Sequence, residues 1–314
     1  MTGSEVTAQV NGWWRHDNGR WVIEDAGRQP EIAPVPAQGN AGTRPDTLVD
    51  GGTIGGLTYR ATSQRGFGHQ QLGTPRQDAY LVRPTPDRRW LVGCVADGVS
   101  EGKQSHEAAD LVCAETTLGL ARALSAGSEL NELPWTDVAE AANAAVRRAA
   151  REAVMRSGTP LADESFDDAR ARRVMSTTAV VFVVSTAAGE DGFPYAVAVV
   201  AGDSAALLLD DGEWTPLSAV KNEGAEVASS AVNPLPRPVE VRPEARVLRP
   251  GQALVVITDG VGDPLGSGSG VVGRFLASMW ATPPEMLAYA QHVGFYRKSF
   301  TDDRTAVTVW AGRP

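Results

Sequence analysis

The chain has 314 residues, 42% of them hydrophobic, and a formal net charge of −9, which suits one large domain or two small ones with a sizeable core. The acidic balance disfavours nucleic acid as a partner, because neutralising phosphates requires clustered lysine and arginine. No apolar run approaches the roughly 20 residues of a membrane span, and no leader pattern opens the chain, so we expect a cytoplasmic protein without a membrane span.

A tryptophan-rich N-terminal segment is predicted over residues 1–25. Trp13-Trp14 and Trp21 flank Asn18-Gly19, and this pattern is typical of a short β-hairpin. Two interpretations stay open at this point. The hairpin either packs on the main domain or docks a partner, since exposed tryptophan is common at interfaces.

A flexible linker is predicted over residues 26–56, because prolines and glycines are dense there. The main domain is then expected over residues 57–314. If the linker is mobile, residues 1–50 should be dispensable for the folding of that domain.

Short apolar runs from Leu57 onward predict strands, since they are brief and rich in Val, Leu, Ile and Ala. They cover residues 57–62, 79–83, 90–96, 177–184, 195–201, 205–209, 252–258 and 305–310. Apolar residues at steps of three and four predict helices around 111–121 and 138–154, and Pro283-Pro284 opens a third helix. This order predicts an α+β fold of layered sheets covered by helices.

Acidic residues stand where the apolar strands stop. Asp97-Gly98, Gly202-Asp203 and Asp259-Gly260 each follow a run, Asp78 opens one, and Asp302-Asp303 precedes the last. If those strands are neighbours, the carboxylates would repel one another and take up protons. Hard divalent cations such as Mg²⁺ and Mn²⁺ relieve that repulsion and prefer oxygen ligands. The pattern therefore predicts a metal site without zinc, since His and Cys are absent from these positions.

Six short motifs in order give the chain a family resemblance. They are Arg76-Gln-Asp78, Val95-Ala-Asp-Gly98, Ser176-Thr-Thr-Ala179, Gly202-Asp-Ser204, Thr258-Asp-Gly260 and Asp302-Asp-Arg-Thr305. The set resembles that of type-2C (PPM) metal-dependent serine/threonine protein phosphatases, in particular a bacterial branch with Gln-Asp in the first motif. The resemblance spans roughly residues 57–311. It implies a PP2C-like sandwich of two antiparallel β-sheets flanked by helices.

The resemblance also implies the role of each acidic residue. Asp97 would bridge two Mn²⁺ or Mg²⁺ ions, with the Gly98 carbonyl on one of them, and Asp259 and Asp302 would complete the coordination shell of the second ion. Asp78 would hold metal-bound waters, and Asp203 and Asp263 match the position of a third ion. Asp97 and Asp259 are thus the expected catalytic residues, acting through a metal-bridged hydroxide that attacks phosphorus.

The sequence defines phosphate binding less well. The arginine that precedes the first motif in other members of the family is missing, and Gln77 stands where they have a glutamate. Arg65 or Arg76 would suit phosphate as bidentate guanidinium groups, and His69 would suit either phosphate contact or proton donation. The alternatives are two solvated arginines and a histidine that braces its loop.

The expected activity is hydrolysis of phosphoserine and phosphothreonine in proteins. The expected partners are a phosphorylated protein substrate and, as an open question, a cognate serine/threonine kinase. The losses at Gln77 and at the phosphate arginine leave one alternative open. This is a pseudophosphatase, in which the same fold serves as a regulatory binding module.

Overall fold

The structure is a computed structural model that describes residues 12–17, 19–38, 44–100, 102–158, 166–217 and 233–312. Residues 1–11, Asn18 and residues 39–43 belong to the predicted N-terminal segment and linker and lie outside the described residues. Within the described part of the chain, no helix is long and apolar enough to cross a membrane.

The secondary structure follows the predicted order of strands, two helices, more strands, a helix and a last strand. It adds helices that the sequence did not predict at residues 67–72, 168–172, 259–265 and 271–279. The strands are β1 Trp14–Asp17, β2 Arg20–Ile23, β3 Thr47–Ile54, β4 Leu57–Gln64, β5 Ala79–Pro84, β6 Trp90–Ala96, β7 Ala179–Ser185, β8 Phe193–Ala201, β9 Ala205–Asp210, β10 Glu213–Pro216, β11 Glu244–Leu248, β12 Ala253–Ile257 and β13 Arg304–Ala311. The helices are α1 Phe67–Leu72, α2 Ser105–Ser125, α3 Trp135–Arg156, α4 Asp168–Arg172, α5 Asp259–Leu265, α6 Val271–Met279 and α7 Met286–Val293.

Two antiparallel sheets pack face to face. One has the strand order β10-β9-β12-β13-β4-β3 and the other β11-β8-β7-β6-β5. Residues such as Phe182, Leu254 and Val309 fill the space between the sheets. Helices α2 and α3 cover the outer face of the five-stranded sheet, and α5, α6 and α7 cover that of the six-stranded sheet. The predicted α+β sandwich is confirmed.

Alternation along the central strands explains why these runs are apolar throughout. In β12, Leu254 and Val256 face the opposite sheet, whereas Ala253, Val255 and Ile257 face the helices. Successive side chains of a strand point to opposite faces, so a strand buried on both faces needs no polar residue. A polar residue directly after such a strand is therefore placed at the edge of the core.

The predicted hairpin is present as β1 and β2, with Asp17 opposite Arg20. It packs on the main domain, because Trp21 and Ile23 are buried in the cluster that α6 and α7 form with the six-stranded sheet. The ring of Phe275 lies 5.6 Å from Trp14 and 5.3 Å from Trp21. Of the two interpretations, the structure shows the packed hairpin.

Within the described residues of the predicted linker (26–38 and 44–56), the structure shows a β-strand, Thr47–Ile54. Strand β3 pairs with β4 along its whole length and forms an edge of the six-stranded sheet. The glycines at the end of this stretch make the tight turn into β4, where Gly55 has a φ of +54°. A domain boundary at residue 57 would therefore divide a β-hairpin.

We call residues 19–38 the N-terminal arm. It runs along residues 296–300, which we call the wall loop. Ile23 donates to the carbonyl of Tyr296 (2.9 Å), and Tyr296 donates to that of Trp21 (2.7 Å). The buried Gln29 amide donates to the carbonyls of Arg297 and Phe300 and accepts from the Arg297 N–H. The arm is thus part of the fold, and it fixes the wall loop that precedes Asp302.

Candidate active site

Three of the predicted carboxylates meet at one end of the sandwich. Asp97 follows β6, Asp203 lies between β8 and β9, and Asp259 begins α5 directly after β12. Each offers a carboxylate oxygen, and these three oxygens lie within 4.8 Å of one another. The strands come from both sheets, so the cluster forms where the two sheets meet.

The backbone at Asp97 is held by threonines of the motif before β7. Thr178 accepts the Asp97 N–H at its hydroxyl (3.0 Å) and returns its own N–H to the Asp97 carbonyl (2.8 Å). The Thr177 hydroxyl donates to the same carbonyl at 2.9 Å. A Cβ atom at Gly98 would lie 2.8 Å from the Gln77 carbonyl oxygen, so glycine is required there.

Asp78 is buried beside this cluster at the start of β5. The Thr258 hydroxyl at the end of β12 donates to its carboxylate at 2.8 Å. Burial and then the charge of Asp303 raise the pKa of Asp78 to about 8. Burial, followed by the charges of Asp78, Asp259 and Asp302, raises the pKa of Asp97 well above its usual range. Repulsion among the carboxylates, which the sequence pattern predicted, adds to the effect of burial in both shifts.

Asp303 was in a predicted acidic pair but had no assigned role. Its carboxylate accepts the Gly66 N–H at 2.6 Å, the Gln77 N–H, and Nδ1 of His69 at 2.9 Å. The Asp302 carboxylate, in turn, accepts the Asp303 N–H at 2.8 Å. Asp303 therefore ties α1 and the residue before Asp78 to the loop that carries Asp302. In the sequence, this role of Asp303 was indicated by nothing more than its place beside Asp302.

A cleft of about 310 Å³ opens over this end of the sandwich. Asp259, Asp263 and Asp302 line it, together with His69 and Ser100. The described residues that line the cleft include no lysine or arginine. Burial lowers the pKa of His69, but the hydrogen bond to Asp303 and the nearby carboxylate charges outweigh it, so the net pKa is raised. His69 is therefore the lining side chain best suited to carry positive charge.

Arg65 and Arg76, the predicted phosphate ligands, use their guanidinium groups inside the protein. Arg65 donates to the carbonyls of Thr74, Val35 and His69 and pairs with Asp46. Arg76 donates to the Ser63 hydroxyl and to the Asp78 and Pro45 carbonyls. Neither lines the cleft. We therefore correct the sequence expectation: these arginines brace the loops around Asp78 and His69, and a phosphate role is not carried forward for them.

The residues fit hard divalent cations. Asp97, Asp203 and Asp259 converge with oxygen donors alone, and burial together with the charges of neighbouring carboxylates raises the pKa of Asp97. Oxygen donors with high negative charge are the ligands that Mg²⁺ and Mn²⁺ prefer. His69, Asp302 and Asp303 also offer ligand atoms within 4.8 Å of one another, but Asp303 and His69 already bond to each other.

The metal-free protein should lose stability as pH rises. A carboxyl group whose pKa is higher in the folded than in the unfolded protein stabilises the fold below its unfolded pKa, and this contribution disappears as pH rises through the folded pKa. Asp78 and Asp97 both behave this way. In chelator, the melting temperature should therefore fall between pH about 5 and about 8, and Asp78→Asn should flatten that fall. A melting temperature that rises over this range would contradict the expectation.

Comparisons with known proteins agree with this geometry. The sequence profile described as Protein phosphatase 2C matches residues 65–289. The structure resembles that of a serine/threonine phosphatase from S. agalactiae, with a TM-score of 0.54 and 19% identity over 81% of this chain and 99% of that one. It also resembles the Mycobacterium tuberculosis serine/threonine phosphatase PstP/Ppp, with a TM-score of 0.52 and 19% identity over 85% of this chain and 100% of that one.

A third similar structure is RsbX in complex with magnesium, with a TM-score of 0.50 and 13% identity over 83% of this chain and 98% of that one. At these identities the solved structures establish a shared fold. The sequence profile is separate evidence, because it matches the sequence itself over more than half of the chain. A sequence comparison with curated proteins returned no significant match.

Proposed function

The chain belongs to the protein phosphatase 2C family, and on that premise we propose that it hydrolyses phosphoserine and phosphothreonine in proteins with the help of Mn²⁺ or Mg²⁺. The observation that carries the proposal is the meeting of Asp97, Asp203 and Asp259 at one end of the sandwich. The magnesium in the RsbX structure supports the choice of cation. The two buried free cysteines, Cys94 and Cys113, support a reducing cytoplasmic setting.

We assign two cations to Asp97, the Gly98 carbonyl, Asp259 and Asp302, with Asp78 holding water beside them. Asp203 and Asp263 are assigned to a third cation. Cations bound there would supply a water of lowered pKa and positive charge that offsets the phosphoryl oxygens. The Thr258 hydroxyl keeps the Asp78 carboxylate oriented, and the threonines before β7 keep the Asp97 backbone in place.

His69 is assigned to the phosphoryl group. It lines the cleft with Asp259 and Asp302, and its Nδ1 is held by Asp303. A ring fixed through one nitrogen presents the other in a defined direction, which favours contact with a phosphoryl oxygen. The phosphorylated protein is the substrate under this proposal, and a cognate kinase would supply it.

Metal removal tests the proposal directly. Hydrolysis of p-nitrophenyl phosphate and of a phosphothreonine peptide should stop after exhaustive chelation and return with Mn²⁺ or Mg²⁺, because the acidic cluster cannot hold a phosphoryl group without added positive charge. The measurement is initial rate against free metal concentration. Full activity in the chelated protein would contradict the metal-dependent mechanism. A folded protein that binds metal but has no activity would favour the pseudophosphatase.

A further inference from the structure

Two chemically different groups of side chains line the cleft. Asp259, Asp263 and Asp302 are acidic, whereas Leu72 and Phe300 are apolar. Leu72 is 73% exposed, and Phe300 of the wall loop is half-buried. Single exposed leucines are common on protein surfaces, so the position of Leu72, beside the proposed active site, is what makes it informative.

Leu72 stands on a rigid support. It ends α1, and Gly73 closes the helix in the left-handed region with a φ of +70°. Helix α1 receives a hydrogen bond from the N-terminal arm, where Val35 donates to the Gln70 carbonyl at 2.8 Å. Gly68 of the same helix donates to the Thr301 carbonyl at 2.9 Å, which ties α1 to the residue after the wall loop. Because the backbone of α1 is held this way, it needs little further ordering when a partner covers Leu72.

We propose that Leu72 and Phe300 form a binding surface for an aliphatic side chain next to the phosphorylated residue of the substrate. This inference rests on the proposed function, since it assigns the phosphoryl group to the acidic residues of the cleft. A peptide whose phosphorylated residue lies against those carboxylates occupies the same cleft, so its neighbouring side chains come close to Leu72 and Phe300. Covering apolar surface there favours leucine, isoleucine or valine over polar residues.

Charge adds a second element of selection. The lining residues contribute Asp259, Asp263 and Asp302, and the chain as a whole carries a net charge of −9. Bound cations would offset the carboxylates that line the cleft but not the field of the whole protein, so acidic residues beside the phosphorylated one are disfavoured. The substrate class is therefore a phosphopeptide with an aliphatic neighbour and few acidic ones.

The test uses the full chain with Mn²⁺ and phosphothreonine peptides that carry either leucine or glutamine at one neighbouring position. Two positions on each side of the phosphothreonine are varied one at a time. At one or more of them, kcat/KM should favour leucine by about 10-fold, the usual discrimination of one apolar contact. Leu72→Ser should bring that ratio close to one. Leu287→Ser is the matched control, because Leu287 is also 73% exposed but lies on α7 outside the cleft, and it should keep the ratio.

Two results would overturn the inference while leaving the phosphatase assignment standing: equal rates for leucine and glutamine at every position, or a leucine preference that survives in Leu72→Ser. A preference lost equally in Leu287→Ser would also overturn it, because the effect would then not belong to the cleft. Failure of the parent protein to hydrolyse p-nitrophenyl phosphate with either cation is a different result. It would remove the proposed function itself, and this inference with it.

Discussion

Asp97→Asn should lower turnover by about three orders of magnitude while the protein stays folded, since removing a charge that holds two cations costs several kcal/mol of transition-state stabilisation. Asparagine keeps the size of the side chain and one acceptor oxygen. The backbone bonds of residue 97 to Thr177 and Thr178 do not involve the side chain and should persist. The measurement is kcat with p-nitrophenyl phosphate, alongside circular dichroism.

Asp211→Asn is the matched control. Asp211 occupies the β9–β10 turn with a φ of +46°, a conformation that asparagine also adopts readily, so its activity should equal that of the parent. The kcat of Asp203→Asn should lie between those of Asp97→Asn and Asp211→Asn, because the third cation is not needed to activate the water. Near-normal turnover in Asp97→Asn would overturn the proposed mechanism. Loss of structure in Asp97→Asn would instead mark Asp97 as a residue of the fold.

Removal of residues 1–38 should destabilise the protein severely. Trp21, Val22 and Ile23 of β2 are buried, and burial of such side chains contributes about 1.5–3 kcal/mol each, so about 5 kcal/mol would be lost. That is comparable with the whole stability of many domains. The expected result is a large drop in melting temperature or an insoluble product. A truncated protein with the parent's melting temperature and activity would restore the mobile linker predicted from the sequence.

A point variant separates the arm's effect on the cleft from its effect on folding. Gln29→Ala removes the side-chain hydrogen bonds from Gln29 to the wall loop, and it should cost about 2 kcal/mol of stability and lower kcat several-fold. The neighbouring Arg28→Ala is the control, because Arg28 is exposed and its guanidinium pairs with Glu31 rather than with the wall loop. If Gln29→Ala and Arg28→Ala have equal kcat, the arm does not position the wall loop for catalysis.

The central strands and the acidic cluster could be predicted because both leave a local signature. The run from Trp90 to Ala96 is apolar on both faces, and β6 has those same bounds. Asp97, Asp203 and Asp259 were predicted to meet because each lies directly beyond such a strand. Here the position of the side chain in the fold follows from its position in the sequence.

Strand β3 left no such signature, because its pairing with β4 is an edge contact with partly exposed faces. An edge strand needs no apolar run, so Gly51 and Gly52 within it suggested a linker. The sequence also did not show that Arg65 and Arg76 form hydrogen bonds inside the protein. Their acceptors include carbonyl groups, such as those of Thr74 and Pro45, and a sequence does not show where main-chain carbonyls point.

The proposed cation ligands are divided between the two sheets, so cation binding would also help to hold the sheets together. Asp78 and Asp97 border the five-stranded sheet, whereas Asp259 and Asp302 border the six-stranded one. A cation held by both groups would link the two sheets. Its binding would add RT ln(1 + [L]/Kd) to the free energy of unfolding, where [L] is the concentration of free cation. Metal starvation would then loosen the sandwich as well as stop the chemistry, so the concentration of free cation would set the lifetime of the protein together with its rate.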